Sequence, residues 1–207
     1  VDSQRHVIEL SNGAMRIMRK ERMDLDYYAT PAWCTRQILD ALELRRPILG
    51  GAILDPSCGD GAILRVAAER GYAGLGVELD PERARKARDG GADVTCADAL
   101  GSTWYAAEAL IGNPPFTLAG EFAGKAAAWS AKFQRPAALL LRLSFAESAK
   151  RQAFHSQNPS DIFVLPVRPR FRTDTSGTDS HAYAWFVWGP YRGGRWRVLP
   201  MPAKEER

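Results

Sequence analysis

Ala52-Ile53-Leu54-Asp55-Pro56-Ser57-Cys58-Gly59-Asp60-Gly61 is the stretch on which the fold turns. Three apolar residues make a short buried strand, which ends on a carboxylate and a Pro-stiffened, Gly-rich corner. The residues from about Ala62 to Arg70 then read as a helix that Gly71 stops. Glycines without a Cβ let backbone approach a ligand closely, and open α/β sheets bind ligands outside the carboxyl ends of their strands. The spacing is not the G-x-G-x-x-G of dinucleotide folds, and there is no G-K-[ST] phosphate loop. A carboxylate at the strand end would repel a pyrophosphate and suits a cationic or ammonium-bearing ligand. An ordinary tight strand-to-helix turn is the plainer alternative.

The pattern repeats outward from this point. Gly74 to Glu78 reads as a second strand, with a helix from Pro81 to Gly90-Gly91 behind it. Residues 93–96 and 109–112 are further short strands, Glu121 to Phe133 a helix, and Ala137 to Leu143 a strongly apolar strand. Phe145 to His155 is helical in pattern, and residues 162–165 and 182–188 are two closely following strands. Upstream, Thr30-Pro31 opens a helix through about Leu44, with Thr30 as its N-cap. Strands alternating with helices predict an α/β fold with a mostly parallel sheet of seven strands, helices on both faces, and an antiparallel C-terminal hairpin. Residues 1–25 mix charge and apolar character without a period and read as an N-terminal arm, leaving 26–207 as the domain. Residues 173–180 read as a long loop.

Two acids sit where chemistry is expected. Glu78 ends the second strand, one βαβ step after Gly61, where a carboxylate accepts from ribose hydroxyls; a surface acid before a turn is the alternative. Asp98 follows the third strand and either accepts from the exocyclic amine of a bound adenine or caps a helix. The fourth strand runs into Asn113-Pro114-Pro115-Phe116. An Asn oxygen and a neighbouring backbone carbonyl both accept from one NH2 group, while the aromatic ring stacks on the flat group that carries it. That suits methylation of an amino group on a planar base.

Composition sets outer bounds. The 207 residues are 45% hydrophobic and 25% charged, ordinary for a globular protein, and suffice for one sizeable domain. The three cysteines, Cys34, Cys58 and Cys96, have no metal-type spacing, and an odd count argues against a disulfide scaffold. With no signal peptide and no apolar run long enough to span a bilayer, a reducing, cytoplasmic setting without membrane contact is expected. The net charge of +4 is mildly basic. It clusters at Arg16, Arg19, Lys20 and Arg22, at Arg168, Arg170 and Arg172, and at Arg192, Arg195 and Arg197; each cluster is either a solvated face or a nucleic-acid contact.

The order of these motifs resembles the class I, S-adenosylmethionine-dependent amino-methyltransferases. It is most similar to the N6-adenine DNA methyltransferases of the gamma arrangement, in particular the small solitary enzymes of phages and prophages. The resemblance covers about residues 26–188 and is specific at Asp55 to Gly61, at Asn113 to Phe116 and at Tyr28-Ala29-Thr30-Pro31. It implies a Rossmann-like class I methyltransferase fold with S-adenosylmethionine as cofactor. Tyr28, Thr30 and Pro31 would border the methionine moiety. Asp55 and the Gly59 backbone would hold its amino-acid end, within the loop that Pro56, Ser57, Cys58 and Gly61 complete. Glu78 would hold the ribose and Asp98 the adenine. Asn113, beside the cofactor, and the Pro114 carbonyl would hold the target amine, with Pro115 stiffening the corner and Phe116 stacked on the base. Tyr183 would pack on the flipped base, although its run also reads as a buried strand.

The implied reaction needs no cysteine nucleophile: none of the three cysteines follows Pro, as cytosine C5 methylation requires. Cytosine N4 enzymes usually begin the tetrad with Ser, so adenine is preferred. The expected partner is DNA, with Arg168, Arg170 and Arg172 on phosphate; RNA bases and glutamine side chains are alternative acceptors, and a non-catalytic nucleic-acid-binding subunit is an alternative of another class. Only about twenty residues follow the last strand, so no separate target-recognition domain and only short sequence specificity are expected.

Overall fold

The computed structural model of the chain describes residues 28–44, 47, 50–171, 180–190 and 193–206. The arm expected over residues 1–25, together with Arg172, Arg192 and most of the 173–180 loop, lies outside the described residues. The strands are β1 (Ala52–Asp55), β2 (Ala73–Glu78), β3 (Asp93–Cys96), β4 (Ala109–Gly112), β5 (Ala137–Arg142), β6 (Asp161–Val164), β7 (Tyr183–Trp188) and β8 (Trp196–Val198). The α-helices are α1 (Ala32–Ala41), α2 (Ala62–Ala68), α3 (Pro81–Asp89), α4 (Ala119–Phe133) and α5 (Gln152–Gln157). One sheet holds every strand, in the order β3-β2-β1-β4-β5-β7-β6-β8.

β1 to β5 pair in parallel, as helical crossovers require, and β7 pairs antiparallel with both β5 and β6. β4, β7 and residues 137–141 of β5 are buried throughout, because helices or connecting segments cover both faces there. Ile53, Ile111, Leu140 and Trp185 pack with α1, α2 and α3 on one face. Leu110, Leu139 and Phe186 pack with Phe122, Ala126 and Trp129 of α4 on the other.

Local chemistry fixes the helix ends. Asp80 caps α3 by accepting from the Arg83 amide at 2.9 Å, and Pro81 takes the first helical position. Gly61 precedes α2 at φ +89°, and a Cβ there would lie 3.1 Å from the Ala87 Cβ. Only glycine permits both the turn and that helix contact. No helix bridges β3 and β4. Instead, Lys125 of α4 donates to the carbonyls of Ala99 at 2.7 Å, Leu100 at 3.1 Å and Ser102 at 2.5 Å, and lies over the Trp104 ring. All three donors of the ammonium thus serve one loop. Burial pushes the Lys125 ammonium below its ordinary range, with the Asp98 carboxylate opposing.

Three expectations are corrected. The sheet has eight strands rather than seven, because Trp196–Val198 adds parallel to β6. That strand has three residues, all exposed, so it carries no buried stripe to read. The helix expected over 145–155 breaks into 3-10 turns at Leu143–Ala146 and Ala149–Arg151 before α5. Thr30 does not cap α1: the N-cap is Pro31, and the Thr30 hydroxyl is used elsewhere.

Asp161 pins the C-terminal strands. Its side chain has no exposure, and it accepts from the amides of Gly193 and Arg195 and from the Arg195 guanidinium at 3.0 and 2.8 Å. Burial works against the charge, but these donors prevail and hold the carboxyl below its ordinary range. Asp161→Ala is expected to cost about 3 kcal/mol in urea denaturation near neutral pH. Folding lowers this pKa, so the contribution is present above about pH 4 and lost as pH falls through the native value. The variant's deficit should therefore shrink in acid.

Candidate functional site

The strand order runs outward in opposite directions from β1 and β4, so the sheet has its topological switch point between them. Such points open a crevice at the strands' carboxyl ends. β1 ends there on Asp55 and β4 on Gly112, immediately before Asn113. The two motifs touch: a Cβ on Gly112 would stand 3.2 Å from the Asp55 Oδ1 and 3.2 Å from the Pro56 Cδ. Any side chain at that position would crowd the carboxylate.

Two carboxylates are buried in the cleft wall. Asp55 is 1% exposed and its Oδ1 accepts from the Ser57 amide at 3.0 Å. Glu78 is 4% exposed; its Oε2 accepts from the Gly59 amide and its Oε1 from the Asp80 amide, each at 2.8 Å. Glu78 therefore ties the glycine corner to β2, and it also lines the cleft. Burial pushes the Asp55 carboxyl up to about 7; the Ser57 amide opposes this and the Glu78 charge adds to it. Burial also raises Glu78, against the amides of Asp80 and Gly59 and the Arg83 cation. Such a pair favours a ligand bearing positive charge near Asp55. Burial lifts the Cys58 thiol far above its usual range, so it holds no ready thiolate.

Asn113 is anchored by its amide nitrogen. Nδ2 donates to the Tyr28 carbonyl and to the Thr30 Oγ1, both at 3.1 Å. Its Oδ1 is buried without a hydrogen-bond partner, as is the Ser57 Oγ. Both residues line the cleft, together with Tyr28, Thr30, Cys58 and Glu78.

Beside Asn113 lies an aromatic cluster. The Tyr28 and Phe116 rings stack at 6.0 Å and 22°. Tyr183 sits 5.3 Å from Phe116, and Phe171 contacts Tyr28, Phe116 and Tyr183. The Arg142 guanidinium lies over the Phe116 ring, 5.0 Å from its centroid.

The structure thus brings Tyr28, Thr30, Asp55, Ser57, Cys58, Glu78, Asn113 and Pro115 onto one cleft. Pro31, Pro56, Gly59, Gly61 and the buried Pro114 are next in sequence to lining residues, without lining the cleft themselves, and half-buried Phe116 follows Pro115. Asp98 is not on the wall. Its Oδ1 accepts from the Leu100 amide at 3.0 Å in a turn with no helix after it, so it caps none. Tyr183 is 1% exposed and packs against Phe116 at a tilt of 45°, so it offers no open face. Arg168 and Arg170 are exposed. Arg142 and Phe171 went unread: Arg142 ends an apolar strand and Phe171 sits among arginines, and neither carries a motif.

No protein-family model matches the chain. A stretch of 78 residues is 38% identical to the type II methyltransferase M.TthHB8I of Thermus thermophilus, taking in 35% of this chain and 17% of that protein. Among solved structures, a Listeria monocytogenes protein described as a class I S-adenosylmethionine-dependent methyltransferase superposes with a TM-score of 0.61 at 14% identity, over 80% of this chain and 64% of that one. The fold is that of the class I methyltransferases. A modification subunit of a type I restriction enzyme from Vibrio vulnificus superposes over all of this chain and 54% of its own length, with a TM-score of 0.57 at 17% identity. The chain therefore spans only part of each of these proteins. Among the described residues, no helix is long and apolar enough to cross a membrane.

Folding raises the Asp55 pKa, so its contribution to stability is fully present below about pH 4 and lost as pH rises through about 7. The ligand-free protein should lose thermal stability between about pH 4 and 7, and Asp55→Asn should flatten that fall. An equal fall in the variant would assign it to another group.

Proposed function

We propose that the chain binds S-adenosylmethionine in the cleft of Asp55 and Glu78 and methylates the exocyclic N6 of an adenine flipped out of DNA. The buried, unpartnered Asn113 Oδ1 is the observation that carries this reading. With Nδ2 committed to Tyr28 and Thr30, the oxygen is the amide's free acceptor, and an NH2 group is its natural complement. The cofactor fits the donor set: Asp55 would take its ammonium, Ser57 its carboxylate and Glu78 its ribose hydroxyls, while Tyr28 and Thr30 flank the methionine part. When bound, it supplies an electrophilic methyl group. Asp98 is retained as the adenine acceptor only if its loop approaches the cleft on binding.

The chain's own residues do the rest. The adenine amine is a poor nucleophile because its lone pair is delocalised into the ring. Acceptance of both its hydrogens, by the Asn113 Oδ1 and the Pro114 carbonyl, localises that pair on nitrogen and stabilises the positive charge that develops there. Phe116 offers its ring to the base, offsetting part of the few kcal/mol that flipping costs. Positioning supplies much of the acceleration.

Labelled cofactor incubated with duplex DNA, single-stranded DNA and RNA, followed by nucleoside analysis, tests the reading. N6-methyladenine in DNA is expected, with Asn113→Ala slower by on the order of a hundredfold or more while S-adenosylhomocysteine binding persists. Label found only in RNA or in a protein amide would replace the substrate; cofactor binding without transfer to any acceptor would overturn the assignment as an enzyme.

Arg168 and Arg170, exposed within a few residues of Phe171, are the proposed phosphate contacts. Arg170→Ala should lower the slope of log affinity against log salt by about one, equally for all sequences. An unchanged slope would remove Arg170 from the interface.

A further inference from the structure

Among the described residues, Arg142 is a cation without a counter-charge. Among the described residues it makes no ion pair or hydrogen bond, and its Nε is buried without a partner. Its position explains how it got there. β5 is buried from Ala137 through Leu141, and Arg142 is the residue at which the strand emerges. It lies directly opposite Tyr183 on β7, so both side chains leave the same face of the sheet, toward Phe116. The guanidinium is a flat group that lies over the Phe116 ring, 5.0 Å from its centre, on the ring proposed to receive a flat base. Tyr28 stacks on the same ring at 22°.

An arginine whose guanidinium has a ring face beside it and, among the described residues, no hydrogen bond or ion pair is held loosely. Cation–π attraction is modest, whereas charge-assisted hydrogen bonds to a phosphate are stronger and match the guanidinium fork. We propose that Arg142 fills the target-base slot on Phe116 in the free protein and exchanges the ring for the incoming nucleotide's phosphate when the base enters. This rests on the reading of Phe116 as the base platform. The exchange closes an aromatic surface that would otherwise be open, and couples entry of a base to recognition of its backbone. A base without a phosphate would have to displace Arg142 with no compensation.

The test uses the full chain saturated with S-adenosylhomocysteine. Quenching of 2-aminopurine riboside and of its 5′-monophosphate would be titrated against wild type, Arg142→Ala, Arg142→Lys and Phe116→Ala. Wild type is expected to favour the monophosphate. Arg142→Ala should bind the nucleoside about threefold or more tighter than wild type, because the competing occupant is gone. The same variant should lose roughly tenfold or more of the preference for the monophosphate. Arg142→Lys should keep most of that preference. An arginine that merely buttresses Phe116 predicts the opposite sign, with weaker nucleoside binding in Arg142→Ala. Nucleoside binding no tighter in Arg142→Ala, with Phe116→Ala weaker than both, would overturn the exchange and leave Phe116 as the platform. Equal binding by Phe116→Ala and wild type would overturn the platform and the exchange together. Retained S-adenosylhomocysteine affinity certifies each variant as folded; if Arg142→Ala lacks it, Arg142→Gln, which keeps most of the stem, replaces it.

Discussion

The hydrogen bonds from the Asn113 Nδ2 to the Tyr28 carbonyl and the Thr30 hydroxyl hold the site together. They join segments 85 positions apart, one leading into α1 and the other leaving β4. A primary amide has one donor end and one acceptor end. Fixing the donor end fixes what the other end offers. Were the nitrogen free to turn outward, the cleft would present a donor where the proposed substrate also donates. Thr30 thus serves the site instead of capping its own helix, and α1 starts without a side-chain cap.

The second constraint is electrostatic. Asp55 and Glu78 are both withdrawn from water at the ends of adjacent parallel strands. Among the described residues neither makes an ion pair, although the Arg83 cation works to lower Glu78. They are held by backbone amides, from Ser57 for the first and from Gly59 and Asp80 for the second. Amides compensate Glu78 more fully than Asp55, and burial accordingly lifts Asp55 up to about 7. A residue kept near neutrality by burial gains most when a cation arrives, because ligand charge and carboxylate charge then appear together. The cost of the arrangement falls on the free protein, as it commonly does where a fold reserves a charge for a ligand.

Much of this was legible in the sequence, for physical reasons that also mark where legibility stops. The strand–corner–helix of Ala52 to Gly61 declares itself because each step uses a residue with a narrow repertoire. Asn113 to Phe116 declares itself because two prolines leave the chain few conformations. What stayed hidden depends on through-space neighbours. Thr30 beside Pro31 has every local mark of a cap, and only the distant Asn113 diverts it. Trp196 to Val198 forms a strand because β6 offers an edge and Asp161 anchors the loop, not because of its own pattern. Arg142 looks like the ordinary polar end of an apolar strand until Phe116 is seen beneath it. Tyr183 reads as a platform or as core from sequence alone, and the burial of β7 decides for core.

The late arginines show how tertiary context divides one basic cluster into different uses. Arg195 is committed to Asp161, a fully buried carboxylate that it cannot leave without stranding a charge. Arg197 lies over the Phe163 ring and covers β6. Both stand at the far end of the sheet, Arg195 just before the edge strand β8 and Arg197 within it. Arg168 and Arg170 differ: both are exposed, and the chain between them and the site is short, because Phe171 already touches Tyr28, Phe116 and Tyr183. A phosphate drawn to this segment would therefore arrive beside the aromatic cluster, while one drawn to Arg197 would meet the edge strand β8, separated from β7 by β6. The net charge of +4 conceals this division. Distance to Phe116, more than the number of arginines, singles out the stretch before Phe171 as the part of the basic surface able to deliver a nucleotide to Asn113.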